Sequence, residues 1–311
     1  MSIFQGLSAF SITPADTSGV VDTAVLSRLL YRIVDAKADS IGLLGSTGGY
    51  AFLDKEQRRR TVETAMETVS GKVPVIVGVG AMRTSDAIEL ALDAKSAGAD
   101  GLLLAPVSYT PLFEDEVFEH FVAVAEAGQL PLCIYNNPST TRFTFTLDLI
   151  ARLSKVDNIE AIKMPLPTGG DVASELTSLR SATGPDFKVG YSGDWGGAEA
   201  LSSGGEAWYS VVAGLLPSEA LALARAAQAG DATEVARLDA AFRPLWDLFK
   251  EFGSFRVMYA IAQVLDLCDV DPPRPILPLS VHARERVVEA LVHLETARAV
   301  VPKPRATSPS T

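Results

Sequence analysis

The stretch Val73-Pro74-Val75-Ile76-Val77-Gly78, followed by Thr84-Ser85-Asp86, Gly98 and then Gly101-Leu102-Leu103-Leu104, decides the fold. A short β-branched run gives way to an amphipathic segment over 85–97. That segment opens on helix-starting residues and stops at a glycine, and a second apolar run follows. Two parallel strands joined by a helical crossover need this order, because a tight hairpin cannot join strands that run the same way. The order repeats in both directions. Strand-like runs fall at 7–12, 40–44, 73–78, 101–104, 131–135, 159–163, 188–191 and 206–211. Helical stretches lie between them at 23–38, 55–69, 85–97, 114–127, 146–153, 172–183 and 197–203, and another follows at 218–229. Pro217-Ser218-Glu219 marks a further helix start, and Gly71, Gly98, Gly128 and Gly230 stand where helices should stop.

Eight such units predict a closed (β/α)8 TIM barrel over 1–229 rather than an open sheet. Helix then continues over 231–267, a Pro-rich turn follows at Asp271-Pro272-Pro273-Arg274-Pro275, and a last helix spans 281–298. These form an expected C-terminal helical domain over 230–298. The tail 299–311, rich in Pro, Ser and Thr, is expected to be disordered.

The 311 residues are 48% hydrophobic, enough for a large core, and 21% charged. A formal net charge of −11 argues against a nucleic-acid or anionic-membrane surface. The two cysteines, Cys133 and Cys268, build neither a disulfide framework nor a thiolate metal site by themselves. The start Met1-Ser2-Ile3-Phe4 lacks the basic and apolar regions of a signal peptide. No apolar run approaches the ~20 residues of a membrane helix. A reducing cytoplasm fits this composition best.

Barrel enzymes place their chemistry at the C-terminal ends of the strands. Those ends carry Gly45-Ser46-Thr47-Gly48-Gly49, Ala105-Pro106-Val107-Ser108-Tyr109, Tyr135-Asn136-Asn137-Pro138, Lys163 and Ser192-Gly193-Asp194. Lys163 follows the apolar run 159–162, so it should point into the barrel mouth with little water around it. Desolvation there favours the neutral, nucleophilic amine. A strand-end lysine snorkelling to solvent fits the same position. Tyr135 ends the neighbouring strand and offers a phenol for proton transfer, or an aromatic packing residue. Ser46 and Thr47, in a glycine-flanked loop, suit a carboxylate, or a tight turn before a helix.

His120, His282 and His293 fall in helical or C-terminal segments and read as surface or packing residues. No strand end gathers His, Asp and Glu, so no metal site is expected. Gly78-Val79-Gly80 lacks the third glycine of a dinucleotide fingerprint. The glycines at 193–197 could line a phosphate loop, a nonspecific signal.

In this order and spacing, Gly45-Ser46-Thr47-Gly48, Tyr135-Asn136-x-Pro138, Ala161-Ile162-Lys163 and Ser192-Gly193-Asp194 resemble the dihydrodipicolinate synthase/N-acetylneuraminate lyase family, over about residues 4–295. Phe252-Gly253-Ser254-Phe255-Arg256 is closer to the lyase branch. The resemblance implies a homotetramer of two tight dimers and an enzyme needing no cofactor beyond a covalent imine on Lys163. Pyruvate or another 2-keto acid would form that imine. Ser46, Thr47 and Gly48 would hold its carboxylate, with Thr47 hydrogen-bonded near Tyr135, which shuttles protons. Gly193 and Tyr209 would lie near the substrate, Tyr209 replacing a usual aliphatic residue, and Asp194 would orient neighbours or cap its loop.

The departures fall on the second substrate. Gly49 stands where the family often has glutamate. Ser108 occupies the place of a tyrosine that reaches across the dimer in the synthase, with Tyr109 beside it. Thr140 replaces the arginine that binds the second substrate's carboxylate, although Arg142 lies two residues on. Met164-Pro165 replaces a common acidic residue. Lys55, Arg58 and Met82 stand at positions that help hold free lysine in regulated synthases, where two cations would repel it. The implied function is a class I lyase or aldolase that makes or breaks a carbon–carbon bond between a 2-keto acid and an aldehyde. A 4-hydroxy-tetrahydrodipicolinate synthase, a keto-acid dehydratase or deaminase, and a non-catalytic ligand-binding barrel are the alternatives.

Overall fold

The computed structural model describes residues 2–169 and 171–299. Its strands are β1 (Gly6–Phe10), β2 (Ser40–Leu43), β3 (Val75–Gly78), β4 (Gly101–Leu104), β5 (Leu132–Tyr135), β6 (Ile159–Met164), β7 (Lys188–Tyr191) and β8 (Ala207–Ser210). Each pairs in parallel with its chain neighbour, and β1 pairs with β8, closing the predicted barrel. Around it run α1 (Thr23–Ala36), α2 (Lys55–Val69), α3 (Thr84–Ala97), α4 (Glu114–Gly128), the short α5 (Pro138–Thr141) and α6 (Leu147–Leu153). The ring continues with α7 (Val172–Thr183), α8 (Asp194–Ser202) and α9 (Pro217–Gln228). Helices α10 (Ala232–Phe252), α11 (Ser254–Val264) and α12 (Val281–Ala299) follow the barrel.

Strands covered on both faces bury nearly every residue, which is why the runs read as continuous apolar segments. Their alternation still sorts inside from outside. Ile76, Leu103, Cys133, Tyr135, Ala161, Ala207 and Tyr209 fill the barrel interior with Phe4 and Phe10. Val75, Val77, Leu102, Leu104, Ile134, Ile162 and Trp208 face the helices. Since Ala161 points inward and Ile162 outward, Lys163 must point inward.

Helix α1 shows how the outer layer is made. Asp22 caps its start by accepting from Val25 N, and Leu26, Leu29, Leu30, Ile33 and Val34 form the buried stripe. Two helix ends differ from expectation. Gly128 closes the last turn of α4, and Gln129 takes the left-handed conformation at φ 49°. Gly128 is needed instead for packing, because a Cβ there would come within 2.7 Å of Leu102 Cδ1. The single helix expected over 231–267 breaks at Gly253, whose φ of 80° ends α10 before α11 begins. In α10, Phe242 stacks on Trp246 with centroids 4.7 Å apart, and both join the cluster that covers the barrel. The tail from residue 300 onward lies outside the described residues. Among those residues no helix is long and apolar enough to cross a membrane.

Candidate active site

Lys163, on β6, is 3% exposed at the barrel mouth. Aromatic faces surround its ammonium: Nζ lies 3.9 Å from the Phe10 ring centroid, 4.4 Å from that of Tyr135 and 5.6 Å from that of Tyr209. Ring faces attract a cation while keeping water away. The snorkelling alternative therefore does not hold. Phe10 can lie there because β2 is bare beneath it: a Cβ at Gly42 would sit 2.4 Å from the ring, and one at Gly45 2.8 Å.

Tyr135 and Lys163 are register partners on β5 and β6. The Tyr135 hydroxyl accepts from Asn137 Nδ2 at 2.9 Å and shares a hydrogen bond of 3.2 Å with Ser46 Oγ. The phenol is thus held by two side chains while its ring flanks the lysine. Thr47, expected beside Tyr135, is buried, but the hydroxyl that meets the phenol is that of Ser46. The physical reason lies in the loop. Leu44 takes a left-handed φ of 54°, and Gly49 one of 63°, so the chain turns sharply between them. Its backbone packs so closely that a Cβ at Gly78 would fall 2.0 Å from Leu44 O, and one at Gly48 2.9 Å from Leu44 Cα. Among the described residues, the N–H groups of Ser46 and Thr47 form no hydrogen bond. Free N–H groups in a tight turn suit a carboxylate.

On the other side of Lys163, Ser192 ties β7 to β6 through its N–H and hydroxyl, both donating to Met164 O. Gly193 follows at φ 97°, with Leu166 where a side chain would stand. Asp194 is buried and accepts from Ser210 Oγ at 2.6 Å and Val211 N at 3.1 Å, so it clamps the end of β8. Burial pushes its carboxyl up to about 6, opposed by those donors and by the charge of Lys163. Tyr209 contributes the floor beneath Lys163. Its ring meets Phe10 edge-on and its hydroxyl bonds Cys133 Sγ at 3.4 Å, so that hydroxyl is occupied.

Among the described residues, the side chains expected to meet the second substrate form no hydrogen bond with Lys163, Tyr135 or Ser46. Thr140 is exposed and returns its hydroxyl to Asn137 O. Arg142, exposed at the end of α5 with φ 55°, forms no ion pair among the described residues. The hydroxyl of Ser108 donates to Thr110 O, and Tyr109 is 96% exposed. At the regulatory positions, Lys55 pairs with Glu89. Arg58 is buried, donating to Gly78 O at 2.9 Å and Gly80 O at 3.0 Å. Of the two cations expected to repel free lysine, Lys55 is thus paired with a carboxylate and Arg58 is committed to backbone carbonyls. His120 packs between helices, bonded to Thr84 Oγ1, while His282 and His293 are exposed. Among the described residues no group of His, Cys, Asp or Glu could hold a metal ion. Sequence reasoning missed Phe10 and Asn137, although the inward parity of β1 and the spacing of Asn137 from Tyr135 carried a signal for each.

The Dihydrodipicolinate synthetase family model matches residues 3–294. A 4-hydroxy-tetrahydrodipicolinate synthase of Alcanivorax borkumensis is 34% identical over 291 residues, 93% of this chain and 97% of that one. One of Nitrosospira multiformis is 35% identical over 285 residues, 90% and 92% of the two chains. The crystal structure of a dihydrodipicolinate synthase from Agrobacterium tumefaciens superposes with a TM-score of 0.93 at 58% identity, covering 94% of this chain and 98% of that one. That from Aquifex aeolicus gives 0.86 at 28% identity, covering 94% and 98%. A buried barrel lysine beside a doubly held tyrosine is the arrangement a Schiff-base lyase needs, and with likeness along almost the whole chain this protein belongs to the dihydrodipicolinate synthetase family of class I aldolase-type enzymes.

Proposed function

We propose that Lys163 forms an imine with pyruvate or another 2-keto acid, and that the enzyme makes or breaks a carbon–carbon bond between that keto acid and an aldehyde. The observation that carries this reading is the buried Lys163 amine in register with Tyr135, whose hydroxyl Ser46 and Asn137 hold in place. The keto-acid carboxylate would rest on the turn at Ser46, Thr47 and Gly48, beside Gly193 and above Tyr209. The lysine nitrogen attacks the ketone carbon, and water leaves as Tyr135 moves protons. The protonated imine then draws the electron pair of an adjacent C–H or C–C bond, giving an enamine. No cofactor enters these steps. Borohydride reduction with pyruvate, followed by peptide mass mapping, tests the assignment; an adduct on another lysine, or none with several 2-keto acids, would overturn it.

The aldehyde is the open half. A second reading, 4-hydroxy-tetrahydrodipicolinate synthase, draws on the names of the relatives. Against it, an aspartate semialdehyde presents a carboxylate, and Thr140 already spends its hydroxyl on Asn137 O. A hydrogen bond to a charged group contributes about 1.5–3 kcal/mol, and a bidentate arginine adds direction. Slow condensation of pyruvate with aspartate semialdehyde is therefore expected, and Thr140→Arg should raise kcat/KM for it by roughly tenfold or more. Efficient turnover by the unmodified protein, with Arg142 essential, would restore the synthase reading.

Assembly belongs to the same proposal. Tyr109, Phe113 and Met82 are strongly exposed apolar side chains, 96%, 78% and 72% accessible. A second copy of this chain covering them would form a dimer, and two dimers a tetramer. Sedimentation equilibrium at micromolar concentration should give a multiple of the 33.0 kDa chain mass; a monomer would count against it.

A further inference from the structure

We infer that Tyr50 of the same subunit completes the proton path from Tyr135 to solvent. The inference rests on the imine reading and extends it to a residue on the turn after the Ser46 loop. Tyr50 begins a single 3-10 turn, Tyr50–Phe52, and its ring is held by the Arg58 guanidinium 5.2 Å from the centroid. Arg58 is itself fixed on Gly78 O and Gly80 O at the end of β3, so the ring has a rigid support. The hydroxyl comes to rest over Gly80. A Cβ there would lie 3.5 Å from the Tyr50 oxygen and 3.4 Å from both Ala105 O and Val107 Cγ2. Ala105 belongs to the interior cluster that contains Tyr135, and Val107 packs against it. The Tyr50 hydroxyl therefore sits in the sector of the mouth between β2, which carries Ser46, and β5, which carries Tyr135.

Two further observations fit this role. Among the described residues the Tyr50 hydroxyl makes no hydrogen bond, and the residue is only partly buried, so the hydroxyl is not sealed from water. Burial pushes the phenol up to about 12, with the nearby Tyr135 adding to the rise, so it stays an O–H donor. Ser108, the residue after Val107, donates its hydroxyl to Thr110 O instead.

In the keto-acid imine, the methyl C–H pair becomes the enamine double bond and the imine π pair moves to nitrogen. The Tyr135 oxygen takes the methyl proton while its own O–H proton passes to a water that Tyr50 holds. Both phenols end as they began, and solvent gains the proton. Tyr50 does not touch the keto acid; it is a positioning residue that acts through Tyr135.

The test is exchange of the pyruvate methyl protons in D2O, followed by NMR, on the full-length protein. Tyr50→Phe keeps the ring under Arg58 and removes only the hydroxyl. Exchange should slow about 10²-fold, the low end for loss of an acid–base group. Borohydride trapping on Lys163 and the KM for pyruvate should stay within about threefold, and Ser108→Ala should leave exchange within the same margin. Intact trapping with unchanged exchange in Tyr50→Phe would overturn the inference alone. A fall in Ser108→Ala equal to that in Tyr50→Phe would move the role to the serine. Failure of the unmodified protein to trap pyruvate would overturn the imine and this path with it.

Discussion

Lys163→Ala is expected to remove the borohydride-trapped pyruvate adduct completely and with it all measurable turnover. The reason is covalent. Without the amine there is no imine, and the keto acid must ionise at carbon with only a neutral carbonyl as electron sink. A carbonyl accepts that charge far less well than a protonated imine, so the carboxylate binding proposed for the Ser46–Gly48 turn would not compensate. The substitution should be tolerated structurally, because it removes a cation from three ring faces and leaves no unpaired carboxylate behind. The fold can be checked by the far-UV circular dichroism of the variant. Residual turnover above the uncatalysed rate, with the protein folded, would mean that another residue carries the chemistry. Lys163→Arg separates charge from nucleophilicity: the cation stays over Phe10, yet turnover should still be lost, because a guanidinium does not form the imine.

Much of this arrangement was legible beforehand, and the parts that were not share a physical cause. Strands enclosed on both faces must be apolar along their length, so β2 to β7 could be placed from composition and spacing alone. The place of Lys163 in the barrel mouth followed from the apolar run 159–162 that it ends. What failed depended on backbone conformations that side-chain chemistry does not encode. Ser46 and Thr47 are adjacent hydroxyls, and the turn between the left-handed Leu44 and Gly49 sets which one meets Tyr135. Gly128 looked like a helix stop, but its requirement comes from Leu102 in a different element. Gly253 interrupts a segment whose apolar period continues on either side, so the break is visible only as a φ angle. Arg58 read only as one of two cations, and its burial rests on carbonyl partners at Gly78 and Gly80 that its charge does not announce. That arginine also lies against the ring of Tyr50.

Tyr135→Phe should lower kcat by about 10²–10⁴, the range for removing a positioned acid–base group, while the imine still forms, more slowly, and can be trapped on long incubation. The ring is expected to stay in place, since phenylalanine retains the face that lies 4.4 Å from Lys163 Nζ. What disappears is the oxygen that receives the Asn137 amide and meets Ser46. On the proposed reading the keto-acid carboxylate rests on the turn at Ser46–Gly48 and not on that oxygen, so KM should change much less than kcat. At about 1.36 kcal/mol per decade, the loss amounts to roughly 3–5 kcal/mol of barrier. Ser46→Ala should act in the same direction but more weakly, because Asn137 still holds the phenol when Ser46 is gone. In the double variant Tyr135→Phe with Ser46→Ala, the second change should then cost little, since the two hydroxyls serve one path. A Tyr135→Phe enzyme within tenfold of the parent, or strictly additive losses in the double variant, would show that protons leave the imine by a route that does not pass through this phenol.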